Sequence, residues 1–301
     1  LTSVTIGNGV TSIGQDAFNG CTGLTTVNWN ATACTKAGDY HGIFAGCTKL
    51  ATVNIGNNVT IIPKDSFYNC TGLTSIKIGN SVTNIGDFAF LGCTGLTSVT
   101  IGNCVTSIGS QAFYNCRDLT SIYYTGDIAG WCGISGLNNL MSSSRTLYIG
   151  GNKVAGNLVI PDNVTSIAPY SFSYRTGITS VTIPDSVTSI GRGAFYGCKG
   201  ITSITIPFVG ASKTETEEYA RVFGYIFGHT TTTNSSDTVS GATIQYYDST
   251  RKEFYWYYIP SALKTVVIGN TATTIPSNAF YGYSWLKSVT IGSGVTKIEG
   301  G

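Results

Sequence analysis

The chain has 301 residues, enough for two ordinary globular domains or one elongated array. Only 11% are charged, 17 basic against 15 acidic for a formal +2, which argues against a nucleic-acid partner, since neutralising phosphates takes clustered Lys and Arg. A hydrophobic fraction of 42% supplies a core and argues against wholesale disorder, and no apolar run approaches the ~20 residues that span a bilayer.

From the first residue the chain repeats itself. Leu1, Val4, Ile6, Val10, Ile13, Ala17, Phe18 and Cys21 are followed at Leu24 by the same pattern. Repeats start at Leu1, Leu24, Leu50, Leu73, Leu96, Leu119, Ala155, Ile178, Ile201, Leu263 and Leu286. Seven of the ten intervals are 23 residues, and the others, 26, 36 and 62, mark insertions at about 30–42, 125–157 and 207–262. The unit reads L-x-x-V-x-I-x-x-x-V-x-x-I-G-x-x-A-F-x-x-C-x-x, with clean copies at 73–95, 96–118 and 178–200. The chain begins and ends inside repeats, so it reads as a segment of a longer protein.

Each unit has a mechanical meaning. In Leu73-Thr74-Ser75-Ile76-Lys77-Ile78, Ile76 and Ile78 alternate with polar residues, the period-2 mark of a half-buried strand. Gly79-Asn80 turns the chain, Val82 and Ile85 point inward, and Ala89-Phe90…Cys93 suits a tight return. One coil cannot bury its own apolar face, but stacked coils bury each other's. Phe18, Phe44, Phe67, Phe90, Phe113, Phe172, Phe195 and Phe280 are therefore expected to form an interior ladder. Cys21, Cys47, Cys70, Cys93, Cys116 and Cys198 share one phase and form no C-x-x-C pair. Stacked at roughly 4.8 Å with parallel side chains, they are read as buried free thiols rather than disulfides.

This registered pattern resembles the BspA-like leucine-rich repeat family, the 23-residue class found in many bacterial surface proteins. The resemblance covers nearly the whole chain outside the insertions. It implies a β-rich leucine-rich-repeat solenoid, a single right-handed curved array over 1–301 with a parallel sheet, short helical or 3-10 turns and an inserted hairpin. It also implies a secreted or surface-displayed location, with adhesion or host-protein binding. Arg175 and Tyr283 in the cysteine slot, and Trp29 in place of the strand Ile, depart from the pattern locally.

Within the first insertion, Cys34, Asp39 and His41 near Cys47 lack metal-ligand spacing and read as a surface loop. In the second, Ile128, Trp131 and Ile134 suit a short helix with Asp127 as N-cap, followed by strands at 147–149 and 158–160. In the third, Thr214 to Phe223 reads as a helix with Glu residues near its start, Thr230 to Ser236 as a mobile loop, and 244–248 with 254–258 as an aromatic hairpin.

The third and fifth positions of each unit face away from the core. They make a hydroxyl-rich, almost uncharged sheet on the order of 50 Å long. Candidate partner-binding residues on it are Asn28, Asn54, Lys77, Thr100 and Tyr123, joined by Tyr246, Tyr247, Tyr255, Trp256 and Tyr258 of the hairpin. The expected function is non-enzymatic binding of an extracellular protein (host matrix, mucin or a neighbouring cell) by a monomer. The alternatives are glycan binding through the aromatic residues of 244–258, and a structural stalk. No acid/base pair, P-loop, metal cluster or nucleophile elbow appears, so no catalytic residue, cofactor or metal is expected.

Overall fold

The alternation in Ser98-Val99-Thr100-Ile101 becomes a strand, Ser98–Ile101, whose Val99 and Ile101 are fully buried while Ser98 and Thr100 are half-buried on the opposite face. The strand pairs in parallel and in register with its neighbours, Ser75 and Ser121 flanking Ser98. The turn beyond needs two left-handed residues four apart, supplied by Gln111 (φ 52°) and Asn115 (φ 59°) in one coil and by Tyr170 (φ 61°) and Tyr174 (φ 62°) in another. Gly102 follows the strand because a Cβ there would collide with the carbonyl oxygen of Gly79 on the preceding coil.

This computed structural model describes residues 1–37, 42–233, 243–248, 250 and 253–300. The chain is a parallel-sheet β-solenoid that divides into two compact units, Leu1–Lys153 and Val154–Gly301. In the first, strands Ser3–Ile6, Thr26–Trp29 and Thr52–Ile55 form one sheet. Strands Ser75–Lys77, Ser98–Ile101, Ser121–Tyr124 and Thr146–Ile149 form a second, edged by the antiparallel Asn152–Lys153. In the other unit, Gly156–Val159, Ile178–Thr182, Ser203–Ile206, Thr265–Ile268 and Ser288–Ile291 form one five-stranded sheet.

Each unit holds a phenylalanine ladder of its own. Ring centroids lie 5.2, 5.7, 5.4 and 5.2 Å apart from Phe18 through Phe44, Phe67 and Phe90 to Phe113, and 5.7 Å apart for Phe172 and Phe195. Cysteine owes its place beside this ladder to its weak S–H donor as well as its size. Cys47, Cys93, Cys116 and Cys198 donate to the backbone carbonyls of Phe18, Phe67, Phe90 and Phe172 at 3.2, 3.1, 3.2 and 2.9 Å, and Cys70 to Phe44 at 3.7 Å. All nine cysteines are free thiols. Where a further cysteine would serve Phe113, Arg145 donates from Nη2 to the carbonyls of Phe113 and Cys116 (3.2 and 3.4 Å). Arg175 in the cysteine slot is buried, donates to Ser173 O at 3.0 Å, and leaves the Cys198–Phe172 contact in place.

Burial pushes the thiols of Cys47, Cys70, Cys93, Cys116 and Cys198 up, Cys116 to about 11 and Cys198 to about 12, so these five carry almost no thiolate at neutral pH. Of the nine, only Cys104 is exposed. Iodoacetamide on native protein is therefore expected to modify Cys104 first and to reach Cys70, Cys93 and Cys116 only after denaturation. Peptide mass mapping checks this, and prompt labelling of Cys93 would contradict it.

The first insertion leaves a seam. Strand Thr52–Ile55 bonds to the preceding coil, but its own short strand Ile61–Ile62 pairs forward with Asn84–Ile85, while Lys36–Ala37 pairs back with Ser12–Ile13. Cys34, read as part of a surface loop, is buried. Asp39 and His41 lie outside the described residues.

The second insertion forms the helix Ile128–Cys132, with the Asp127 carboxylate accepting from the Gly130 N–H at 2.8 Å. Strand Thr146–Ile149 then adds a coil that the spacing of the leucines does not reveal.

In the third insertion the helix is short, Glu218–Arg221, and passes into a 3-10 turn, Phe223–Phe227. Glu215 Oε1 accepts from the N–H groups of Thr216 and Glu217 (2.9 Å each), which ends the helix early on its N-terminal side. Thr230, read as loop, belongs to strand His229–Thr232, which makes a three-stranded antiparallel sheet around a central Glu253–Tyr257. Residues 234–236 of that reading lie outside the described residues.

The 3-10 turn completes the ladder. Phe195 N–H donates to Ile226 O (2.9 Å) and Phe223 N–H to Ala279 O (3.2 Å), the bonds that Phe67 and Phe90 make to Ala89 and Ala112. Phe227 and Phe223 thus sit between Phe195 and Phe280, at centroid steps of 6.5, 5.5 and 5.2 Å. The strands Ser203–Ile206 and Thr265–Ile268 nonetheless pair directly. The insertion is an extra layer on the turn side only.

Candidate functional site

Parallel pairing in register places the fifth residue of each coil in one row. In the first unit Asn54 Nδ2 donates to Asn28 Oδ1 (2.8 Å) and Asn28 Nδ2 to Thr5 Oγ1 (3.2 Å), so the amides form an oriented chain. In the sheet that follows, Lys77 is exposed, Thr100 half-buried, and Tyr123 40% exposed. Tyr148 stands beside Tyr123 in register, rings stacked at 4.8 Å and 18°. Sequence reasoning missed Tyr148 because its coil lacks the repeat's landmark residues. The strand at 147–149 was visible, but its register with Tyr123 was not.

In the second unit the fifth residues form their own row, Val159, Thr182, Thr205, Val267 and Thr290, and at the third position Ser180 Oγ donates to Asn157 Oδ1 at 2.9 Å. Its surface is less polar, and Val159 is 49% exposed.

The aromatic hairpin is placed differently. Tyr255 and Trp256 are buried, and Tyr257 is completely so. Tyr255 stacks on Tyr219 at 5.1 Å, Trp256 Nε1 donates to Thr232 Oγ1 (2.9 Å), and the Tyr257 hydroxyl donates to Tyr219 O (2.6 Å). Tyr258 is half-buried and meets Tyr196 edge-on at 5.1 Å. Tyr246 and Tyr247 pair through the backbone with Tyr255 and Phe254, while their side chains lie outside the described residues. Tyr255, Trp256 and Tyr257 thus pack against the insertion that carries them, and Tyr258 against Tyr196 of the coil before it.

His229 closes that packing. Its ring lies 5.0–5.5 Å from Tyr219, Tyr255 and Tyr257, and its buried Nδ1 has no hydrogen-bond partner among the described residues. Burial, helped by the nearby Arg192 cation, lowers its pKa to about 4. The unfolded chain takes that proton near 6.5, so between pH 6.5 and 4 it holds more protons than the folded chain and stability falls as pH drops. The full shift corresponds to roughly 3 kcal/mol, reduced to about 2 by the partial exposure of the ring. Urea titrations at pH 7 and pH 4.5 are expected to show this loss in the wild type and a smaller one in His229→Phe. Equal losses in both would refute the assignment to His229.

Among the described residues no group of His, Cys, Asp and Glu is placed to hold a metal ion, and no helix is long and apolar enough to cross a membrane. The Cys132 thiol is buried and pushed up to about 12 by desolvation and then by Asp127.

The BspA type leucine-rich repeat region, in six copies, matches residues 1–120, 152–224 and 243–301. The chain belongs to the BspA-type leucine-rich repeat family. Similar solved structures include a leucine-rich repeat protein from Bacteroides ovatus ATCC 8483 (24% identity, TM-score 0.49, covering 99% of this chain and 71% of that one). A leucine-rich cell surface protein from Faecalibacterium prausnitzii A2-165 shows 24% identity and TM-score 0.41, over 97% of this chain and 79% of that one. The leucine-rich repeat protein of T. pallidum shows 22% identity and TM-score 0.37, over 66% and 77%. No curated protein matches the chain. Membership in the BspA-type family accounts for the coil, its period and its two side-chain ladders.

Proposed function

We propose that this BspA-type chain is a non-enzymatic recognition module, secreted or displayed at the cell surface, that binds an extracellular protein on the sheet face of its first unit. The observation that carries this reading is the row from Thr5 through Asn28 and Asn54 and the row from Lys77 through Thr100 and Tyr123 to Tyr148. The first presents a hydroxyl and two amides, the second an ammonium, a hydroxyl and two phenols, each on rigid strands at one repeat spacing. Such a face binds by hydrogen bonds and aromatic contact rather than by charge, and fixed strands lower the ordering cost of association. The stacked Tyr123 and Tyr148 are the natural anchors, since tyrosine combines contact area with a polar tip. Family membership supports the surface location.

The test is biosensor binding of the purified chain to matrix proteins and mucins. For a partner so found, Tyr123→Ala/Tyr148→Ala is expected to weaken binding by about 30-fold, corresponding to a hot spot of ~2 kcal/mol. Absence of any binding across the panel, or binding unaltered by the double substitution, would overturn the proposal. Glycan recognition through the hairpin is not favoured, because the faces of Tyr255 and Trp256 are occupied by protein.

A further inference from the structure

On the other side of the second unit, away from the sheet face, the short strands Ser166–Ile167 and Ser189–Ile190 pair in parallel, and Ser212 of the third insertion bridges to Ser189. Three serines therefore stand in a row over roughly 10 Å, two ladder steps. They line a cleft of ≈ 400 Å³ whose floor is apolar, with Ile190 buried and Pro169 beside it. Tyr225 and Glu215 complete the wall.

Two features of the cleft bear on what it could hold. Some serine hydroxyls of the fold bond to the protein: Ser66 and Ser171 each donate to a carbonyl at 2.6 Å, and Ser107 accepts from Asn84 at 2.5 Å. Ser166, Ser189 and Ser212 make no such side-chain bond among the described residues, and all three line one concavity. Glu215 is held in place by the two backbone N–H bonds to its Oε1, a carboxylate fixed before any ligand arrives.

We infer that this cleft is a saccharide site, sized for two linked neutral sugar rings. A polyol uses hydroxyls that both donate and accept, which a row of serines supplies and a row of amides or cations does not. A fixed carboxylate accepts from a sugar hydroxyl in a charge-assisted bond. The apolar floor and the Tyr225 ring suit the C–H face of a pyranose. Glu215 is the single charged residue in the lining, which disfavours phosphorylated or carboxylated ligands. The cleft lies in the second unit and shares no residue with the sheet face proposed for protein binding, so either site can fail without the other.

Saturation-transfer NMR of the full chain with free lactose, cellobiose and diacetylchitobiose at millimolar concentration tests the inference. Transfer to ring C–H protons of at least one sugar is expected, with affinity about tenfold lower in Glu215→Gln, which keeps the local N–H bonds while removing the charge. Ser189→Ala is expected to weaken it further, and Tyr123→Ala/Tyr148→Ala to leave it unchanged. Circular dichroism confirms that each variant is folded. No transfer from the folded wild type to any of the three sugars, or transfer indifferent to both Glu215→Gln and Ser189→Ala, would overturn the assignment.

Discussion

Phe90→Ala is expected to destabilise the first unit by about 3–5 kcal/mol, the cost of a large buried ring whose cavity cannot collapse. Phe90 is fully buried and its ring is held between Phe67 and Phe113 at 5.4 and 5.2 Å. Its N–H bonds to Ala112 O, and its carbonyl accepts both the Cys93 N–H and the Cys116 thiol. Removing the ring therefore weakens two coil–coil contacts at once, and in a linear array stability resides in such nearest-neighbour terms. Phe18→Ala is the informative comparison. That ring is half-exposed and stacks on Phe44, so its loss is expected to cost markedly less. Urea unfolding followed by the fluorescence of Trp29 and Trp131 measures both. Equal costs at the two positions would show that the ladder does not carry the coupling assigned to it.

How much of this was legible beforehand follows from which residues repeat. The phenyl and thiol ladders were readable because Phe67, Phe90 and Phe113, and Cys70, Cys93 and Cys116, recur at one interval, and in-register stacking then leaves them no other place. The Asp127 cap was readable because capping is local chemistry. The extra coil at Thr146–Ile149 was not, since it lacks the leucine and cysteine by which the repeat is recognised. The burial of Tyr255 and Trp256 was equally hidden. Aromatic content marks a hairpin as sticky, but which face is covered depends on Tyr219 and Thr232, placed by a turn and a strand whose positions no period encodes. On the sheet face, Asn28, Asn54 and Tyr123 were identifiable from position alone, whereas the partner of Tyr123 came from register. The cleft serines Ser166 and Ser189 lie in phase with the repeat. Ser212 does not, and only the fold brings it to them.

Phe223→Ala is expected to cost a similar 3–5 kcal/mol, but to act on a different coupling. Phe223 is fully buried, contacts Phe227, Phe280 and Tyr283 at 5.5, 5.2 and 6.2 Å, and bonds through its N–H to Ala279 O. The turn side of the coil starting at Leu263 therefore leans on the insertion, while its strand side bonds directly to Ser203–Ile206. Deleting the ring removes the layer on one side only. The strand pairing should survive while residues 274–285 lose protection, which hydrogen exchange resolves segment by segment. Trp285, which packs on Tyr283 at 5.7 Å, should report the same loosening by fluorescence. Phe223→Leu, which keeps much of the volume, is expected to restore most of the protection. If exchange in 274–285 were unchanged in Phe223→Ala, the insertion would be an appendage rather than a layer of the ladder. The direct stacking of Phe195 toward Phe280 expected from the repeat alone would then describe the energetics better than the intercalated turn does.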